Sequence, residues 1–102
     1  MKLLTAEIEK ALQKSPIAST DGQGLDADVI VKYFDPCGAG TWLITEGEKQ
    51  ENDDWLLYGY CYISVWEWGY VSLSELQKYK GKLGLGIERD IYASGTVKEN
   101  LE

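Results

Sequence analysis

Between Trp55 and Val71 the chain alternates with a period of two. The even positions from 58 to 70 are Tyr58, Tyr60, Tyr62, Ser64, Trp66, Trp68 and Tyr70, and the interleaved residues are Gly59, Cys61, Ile63, Val65, Glu67, Gly69 and Val71. Successive side chains of a strand point to opposite faces, so this pattern predicts a hairpin with one aromatic face and one small or aliphatic face. The turn between the two strands can reset the register, and the assignment therefore holds strand by strand.

An aromatic face has two uses. Exposed, with Trp66 and Trp68 as binding residues, it is a stacking platform for sugars, bases or a partner peptide. Buried, it is the core face, with tyrosine hydroxyls reaching the rim. A small domain needs large side chains for its core volume, the chain has one phenylalanine, and aromatic side chains are strongly buried on average. The core reading is therefore preferred.

The remaining composition narrows the function classes. A chain of 102 residues supports one domain, and a net charge of −7 gives no basic footprint for nucleic acid, whose affinity comes mainly from phosphate neutralisation. The absence of histidine removes the commonest proton shuttle, the commonest zinc ligand and every Ser/His/Asp or Cys/His nucleophile set. Cys37 and Cys61, 24 positions apart, belong to no CxxC pattern, and a disulfide between them cannot be inferred from sequence. The start, Met1-Lys2-Leu3-Leu4-Thr5, soon turns polar, and no apolar run approaches the roughly 20 residues of a membrane helix. A cytoplasmic protein with reduced thiols is expected. Residues 1–100 read as a single globular domain, and Leu101-Glu102 as an expression remnant.

Leu4, Ile8, Ala11 and Leu12 recur at helical spacing, Thr5 suits an N-cap, and Ser15-Pro16 ends the helix. Residues 18–28 read as a loop, 29–34 and 41–45 as a hairpin around Asp35-Pro36-Cys37-Gly38-Ala39-Gly40, and 46–54 as an acidic connection. Strands are expected over 55–63 and 68–71. Ser72-Leu73-Ser74-Glu75 fits a capping box and opens a short helix to about Lys80. A last strand over 87–92 and a frayed tail over 93–102 complete the chain. The predicted fold is α+β, an antiparallel sheet of about five strands with an N-terminal helix and a short second helix packed on it.

Residues 21–67 hold ten acids (Asp21, Asp26, Asp28, Asp35, Glu46, Glu48, Glu51, Asp53, Asp54 and Glu67) against Lys32 and Lys49, while the rest of the chain is close to neutral. Loop solubility accounts for such a stretch. The sharper reading is a polyanionic face that attracts a basic protein, in one form as a mimic of DNA phosphates. Glu51-Asn52-Asp53-Asp54 lacks the spacing of a calcium loop, so no metal site is expected.

Ile87-Glu88-Arg89-Asp90-Ile91-Tyr92 places the only arginine between two isoleucines on one strand face. A buried arginine needs a carboxylate, and Glu67 is the expected partner in a structural ion pair. The functional alternative makes Glu88, Arg89 and Asp90 a ligand-binding or acid–base site. Lys78, Lys80 and Lys82 around Gly81 lack P-loop spacing and read as a helix end.

Several stretches together carry a family resemblance: Met1-Lys2-Leu3-Leu4-Thr5, Val31-Lys32-Tyr33-Phe34 with Pro36, Thr41-Trp42, Thr45-Glu46, the run Gly69-Tyr70-Val71-Ser72-Leu73-Ser74-Glu75-Leu76, and Leu83-Gly84-Leu85 with Ile87-Glu88-Arg89-Asp90 and Tyr92. The chain resembles the small bacterial proteins catalogued as domain of unknown function 2958, often encoded on plasmids and other mobile elements. Gly86 stands where a proline is expected, and the chain ends soon after Tyr92. The resemblance implies a stand-alone intracellular domain and makes anti-restriction or host-interaction roles an expectation of context. It supplies no activity and no site residues.

The leading expectation is a non-catalytic interaction domain that meets a basic protein through an acidic surface. The alternatives are a DNA-mimic inhibitor from a mobile element, and a small-ligand or enzyme site around Glu88, Arg89 and Asp90. No cofactor, no membrane partner and no direct nucleic-acid partner is implied, and oligomeric state leaves no mark on the sequence.

Overall fold

The computed structural model describes residues 2–102. In chain order its elements are helix α1 (Ala6–Gln13), strands β1 (Val31–Phe34), β2 (Thr41–Lys49), β3 (Trp55–Tyr62) and β4 (Trp66–Ser72), helix α2 (Leu73–Lys78), strand β5 (Glu88–Arg89) and helix α3 (Val97–Leu101). The strands form one antiparallel sheet in the order β4-β3-β2-β1-β5. The α+β fold expected from the sequence is the fold observed, with one more helix at its end.

The helix starts follow from local chemistry. Thr5 accepts the Ile8 amide and caps α1, while Ser72 and Glu75 satisfy each other's free donors at the start of α2. Each cap is worth about 1 kcal/mol relative to alanine. The same device, Thr96 with Glu99, opens α3 inside the segment expected to be frayed. That tail is further tied down by Val97 N–H to Ala27 O and Val29 N–H to Gly95 O, both 2.9 Å. The last strand is shorter than expected, because pairing with β1 stops at Arg89 and residues 91–92 turn away.

One face of the sheet carries the main core. Ile8 and Leu12 of α1, Leu73 and Leu76 of α2, and Leu3 and Ile87 pack there with Tyr33, Trp42, Ile44, Trp55, Leu57 and Cys61. Truncating a fully buried member such as Leu12 to alanine costs about 2–5 kcal/mol. Tyr33 is buried too, and its hydroxyl donates to Leu3 O at 2.6 Å, holding the segment before α1 against the sheet. Burial raises its pKa well above the usual tyrosine value.

β2 continues through 46–49, which the sequence presents as an acidic connection. A bulge makes the difference: Ile44 pairs with Gly59 and Glu46 with Tyr58, so two residues of β2 face one of β3. The displaced Thr45 carbonyl accepts Ser15 Oγ at 2.8 Å, and Gly47 N–H donates to Ser15 O at 3.0 Å. The bulge also turns Glu46 to the face opposite the main core, where it is only 2% exposed. Its carboxylate accepts the amides of Ala18 (2.7 Å) and Thr20 (2.8 Å) and the Thr20 hydroxyl. A buried carboxylate survives only with such donors, and here they pin the loop after α1 across the sheet. Leu43, on that same second face, is fully buried, as are Ala27 and Val97 outside the main cluster. The second face is thus covered over β1 and β2 and bare over β3 and β4.

Candidate interaction site

The bare half of the second face holds the aromatic stripe. Residues 63–65 form a turn that keeps even positions together, so Tyr62 pairs with Trp66, Tyr60 with Trp68 and Tyr58 with Tyr70. The rings interleave in a zigzag. Tyr60 stacks on Trp66 (centroids 5.2 Å apart, planes 15°) and Tyr58 on Trp68 (5.7 Å, 14°), while Tyr62–Trp66, Tyr60–Trp68 and Tyr58–Tyr70 meet at 5.4, 5.0 and 4.8 Å with tilted planes. Pairs of this kind contribute about 0.5–1.5 kcal/mol each beyond their buried area.

This corrects the core reading of the stripe. Tyr58, Tyr60 and Tyr62 are half-buried by their neighbours, but Trp66 is 37%, Trp68 36% and Tyr70 61% exposed. The core does not need them. Trp42, Trp55 and Tyr33 supply its volume from other positions, and α2 packs near β3. Gly59 lies tight against β2: a Cβ there would sit 1.9 Å from Leu43 O. Burial and the neighbouring Glu67 raise the Cys61 thiol on that inner face to about 11, so it stays protonated. Cys37 and Cys61 are both free thiols.

β4 is an edge strand, held to the sheet by β3 alone. Its outer edge is unpaired, and β4 carries no proline, lysine or bulge, with Glu67 as its one charged side chain. Ile63 and Val65 at the hairpin tip are strongly exposed. Rings, free edge and apolar tip form one continuous feature.

A small notch opens at the inner side of the ladder. Thr20, Asp21, Gly22 and Gly24 of the clamped loop face Tyr58 and Trp68 across about 160 Å³. Gly22 and Gly24 have φ of +85° and +53°, a left-handed backbone that lets the loop turn back toward the rings at no steric cost. Tyr58 has a raised pKa, chiefly through burial, with the nearby carboxylates of Glu46 and Asp21 among the smaller causes. The sequence offered no local sign that residues 20–24 meet β3. The link depends on Glu46 turning toward them.

The other candidate residues lie elsewhere. β5 is the far edge of the sheet, four strand spacings from β4, or roughly 19 Å at ~4.8 Å per strand. The expected Arg89–Glu67 pair is therefore excluded by topology. Arg89 sits opposite Tyr33, and its Nε donates to Lys2 O at 3.1 Å. Asp90 lies 3.6 Å from Lys32 Nζ and accepts the Tyr92 amide, which gives it a structural role. Glu88 alone of the three lines a groove of about 650 Å³, with Lys2, Leu4, Gln77, Lys80 and Ile87 among its other walls. Neither Arg89 nor any aromatic ring lines that groove.

The acidic stretch is also divided. Asp35 is buried, accepting the Tyr79 hydroxyl (2.8 Å) and the Cys37 amide (3.0 Å). Asp54 accepts the Ser74 hydroxyl (2.6 Å) and the amides of Ser74 and Trp55, and these bonds hold its pKa below the usual carboxylate value. With Glu46 buried as well, three of the ten acids between 21 and 67 serve the fold. Among the described residues no helix is long and apolar enough to cross a membrane, and no three His, Cys, Asp or Glu side chains gather as a metal set.

A sequence-family profile described as "Protein of unknown function (DUF2958)" matches residues 3–99. No curated protein and no solved structure matches the chain.

Proposed function

The chain belongs to the DUF2958 family, and for this member we propose a non-catalytic interaction role whose contact surface is the aromatic face of the β3–β4 hairpin. The observation that carries the proposal is the exposure of Trp66, Trp68 and Tyr70 in a ladder that the core leaves uncovered. Large aromatic side chains contribute most of the energy at protein interfaces, and keeping them in water has no folding benefit that burial would not exceed. The unpaired edge of β4 adds backbone donors and acceptors to the same surface.

The net charge of −7 favours a basic partner, and its attraction would speed encounter more than it would deepen affinity. Two free cysteines suit a reducing compartment, so the proposed location is the cytoplasm. A mobile-element origin would suit a protein that contacts host machinery. The DNA-mimic reading is less well supported, because Asp35, Glu46 and Asp54 are spent on internal hydrogen bonds. The ligand-site reading loses support because the groove at Glu88 reaches neither Arg89 nor an aromatic ring.

The test is affinity capture from host lysate with the wild type and a Trp68→Ala/Tyr70→Ala variant, each at low and high salt. The proposal expects a captured band that the variant loses while its far-ultraviolet dichroism stays native. Equal capture by both proteins contradicts it.

A further inference from the structure

Resting on the interaction role just proposed, we infer that the notch between residues 20–24 and the aromatic ladder receives a single lysine or arginine side chain of a basic protein partner. At about 160 Å³ it is smaller than the roughly 300–1,000 Å³ of small-molecule sites, and it suits one long side chain rather than a metabolite. Its walls are Tyr58 and Trp68, and Asp21 is the acidic residue of its lining. Aromatic rings beside an anion form the environment that holds ammonium and guanidinium groups, with tryptophan the strongest ring partner.

Three further observations support a cationic occupant. Between Lys49 and Lys78 the chain has no basic residue, so β3 and β4 bring no cation of their own to the notch. The carboxylates of Glu46 and Asp21 both lie near enough to Tyr58 to help raise its pKa, after burial. Glu46 is fully engaged by Ala18 and Thr20, which leaves Asp21 as the acidic residue of the notch lining. The loop is held in place before any partner arrives, so little ordering is needed on binding. A neutral or anionic side chain would meet the same rings without a counter-charge.

The probe is an octapeptide of alternating lysine and threonine, titrated into the full ¹⁵N-labelled chain. An otherwise identical peptide with norleucine for lysine is the control. The lysine peptide is expected to shift the Trp68 indole and the Gly22 and Gly24 amides saturably, leaving the buried Trp42 and Trp55 indoles in place. Asp21 is exposed, so Asp21→Asn should keep the native spectrum and weaken binding about tenfold, with Asp21→Glu restoring it. The norleucine peptide should leave the notch signals unmoved. Equal binding of the norleucine peptide, or of the lysine peptide to Asp21→Asn, overturns the cationic notch and leaves the aromatic face standing as an apolar contact surface. If neither peptide moves Trp66 or Trp68, this inference fails, and the lysate comparison with Trp68→Ala/Tyr70→Ala decides the interaction role on its own.

Discussion

Tyr60 of β3 and Trp66 of β4 lie face to face across the hairpin, centroids 5.2 Å apart and planes within 15°, although their backbone partners are Trp68 and Tyr62. The stacking is diagonal. It stitches an edge strand to the sheet by side chains as well as by the backbone ladder, and diagonal aromatic pairs are within reach on one face of an antiparallel pair.

This coupling is measurable. A double-mutant cycle with Tyr60→Ala and Trp66→Ala, followed by urea unfolding, is expected to give an interaction energy of about 0.5–1.5 kcal/mol. Additive losses would mean that the two rings do not support each other.

Gly59 and Gly69 are directly paired, yet their environments are opposite. A Cβ at Gly59 would collide with Leu43 O at 1.9 Å and with Ile44 Cα, which is backbone and cannot move aside. A Cβ at Gly69 meets nothing within 4 Å. Gly59→Ala should therefore destabilise by about 3 kcal/mol or fail to fold, since overpacking costs about 1–3 kcal/mol even where side chains can give. Gly69→Ala should be neutral or stabilising by up to about 1 kcal/mol. Thermal unfolding of the two variants checks the contrast.

Glu46 holds the loop that forms one wall of the notch. Glu46→Ala leaves the Ala18 and Thr20 amides without their acceptor, and hydrogen bonds to a charged group are worth about 1.5–3 kcal/mol. The variant should lose stability on that order. Hydrogen exchange should report faster exchange at Ala18 and Thr20 before any change in the β3 amides.

Acid should weaken the fold through Asp54 and Glu99. Both carboxyl pKa values are lowered, Asp54 first by the Ser74 hydroxyl and Glu99 first by the Thr96 amide. A depressed carboxylate contributes stability above its unfolded pKa and loses it as pH falls through the folded value. Stability should thus be flat near neutrality and fall below the ordinary carboxylate range of about 4. Asp54→Asn should flatten the acid limb of stability against pH, and an unchanged limb would remove Asp54 from that role.

Local chemistry was legible in the sequence where one segment decides its own structure. Thr5 and the Ser72–Glu75 box cap the helices they were expected to cap, and the period of two between 55 and 71 is the hairpin. The direction in which the rings face was not legible, because it depends on Trp42 and Trp55 filling the core from other positions. Glu46-Gly47-Glu48-Lys49 has the composition of a loop, and only the bulge and the distant amides of Ala18 and Thr20 make it a strand. Arg89 and Glu67 had compatible charge and patterning, but strand order is a long-range property, and it sets them on opposite edges. Capping at Thr96 was present in the sequence, four residues past Tyr92, and the absence of apolar periodicity there concealed it.

The central claim is that the bare half of the sheet is a contact surface. Oxidative footprinting of the chain, purified and then in host lysate, tests it most directly. Trp66, Trp68 and Tyr70 should be modified in the purified protein and protected in lysate, while Leu83 and Tyr92, which are more exposed and lie away from the ladder, should be modified in both. Unchanged modification of the three ladder residues in lysate, or protection confined to Leu83 and Tyr92, would contradict the account.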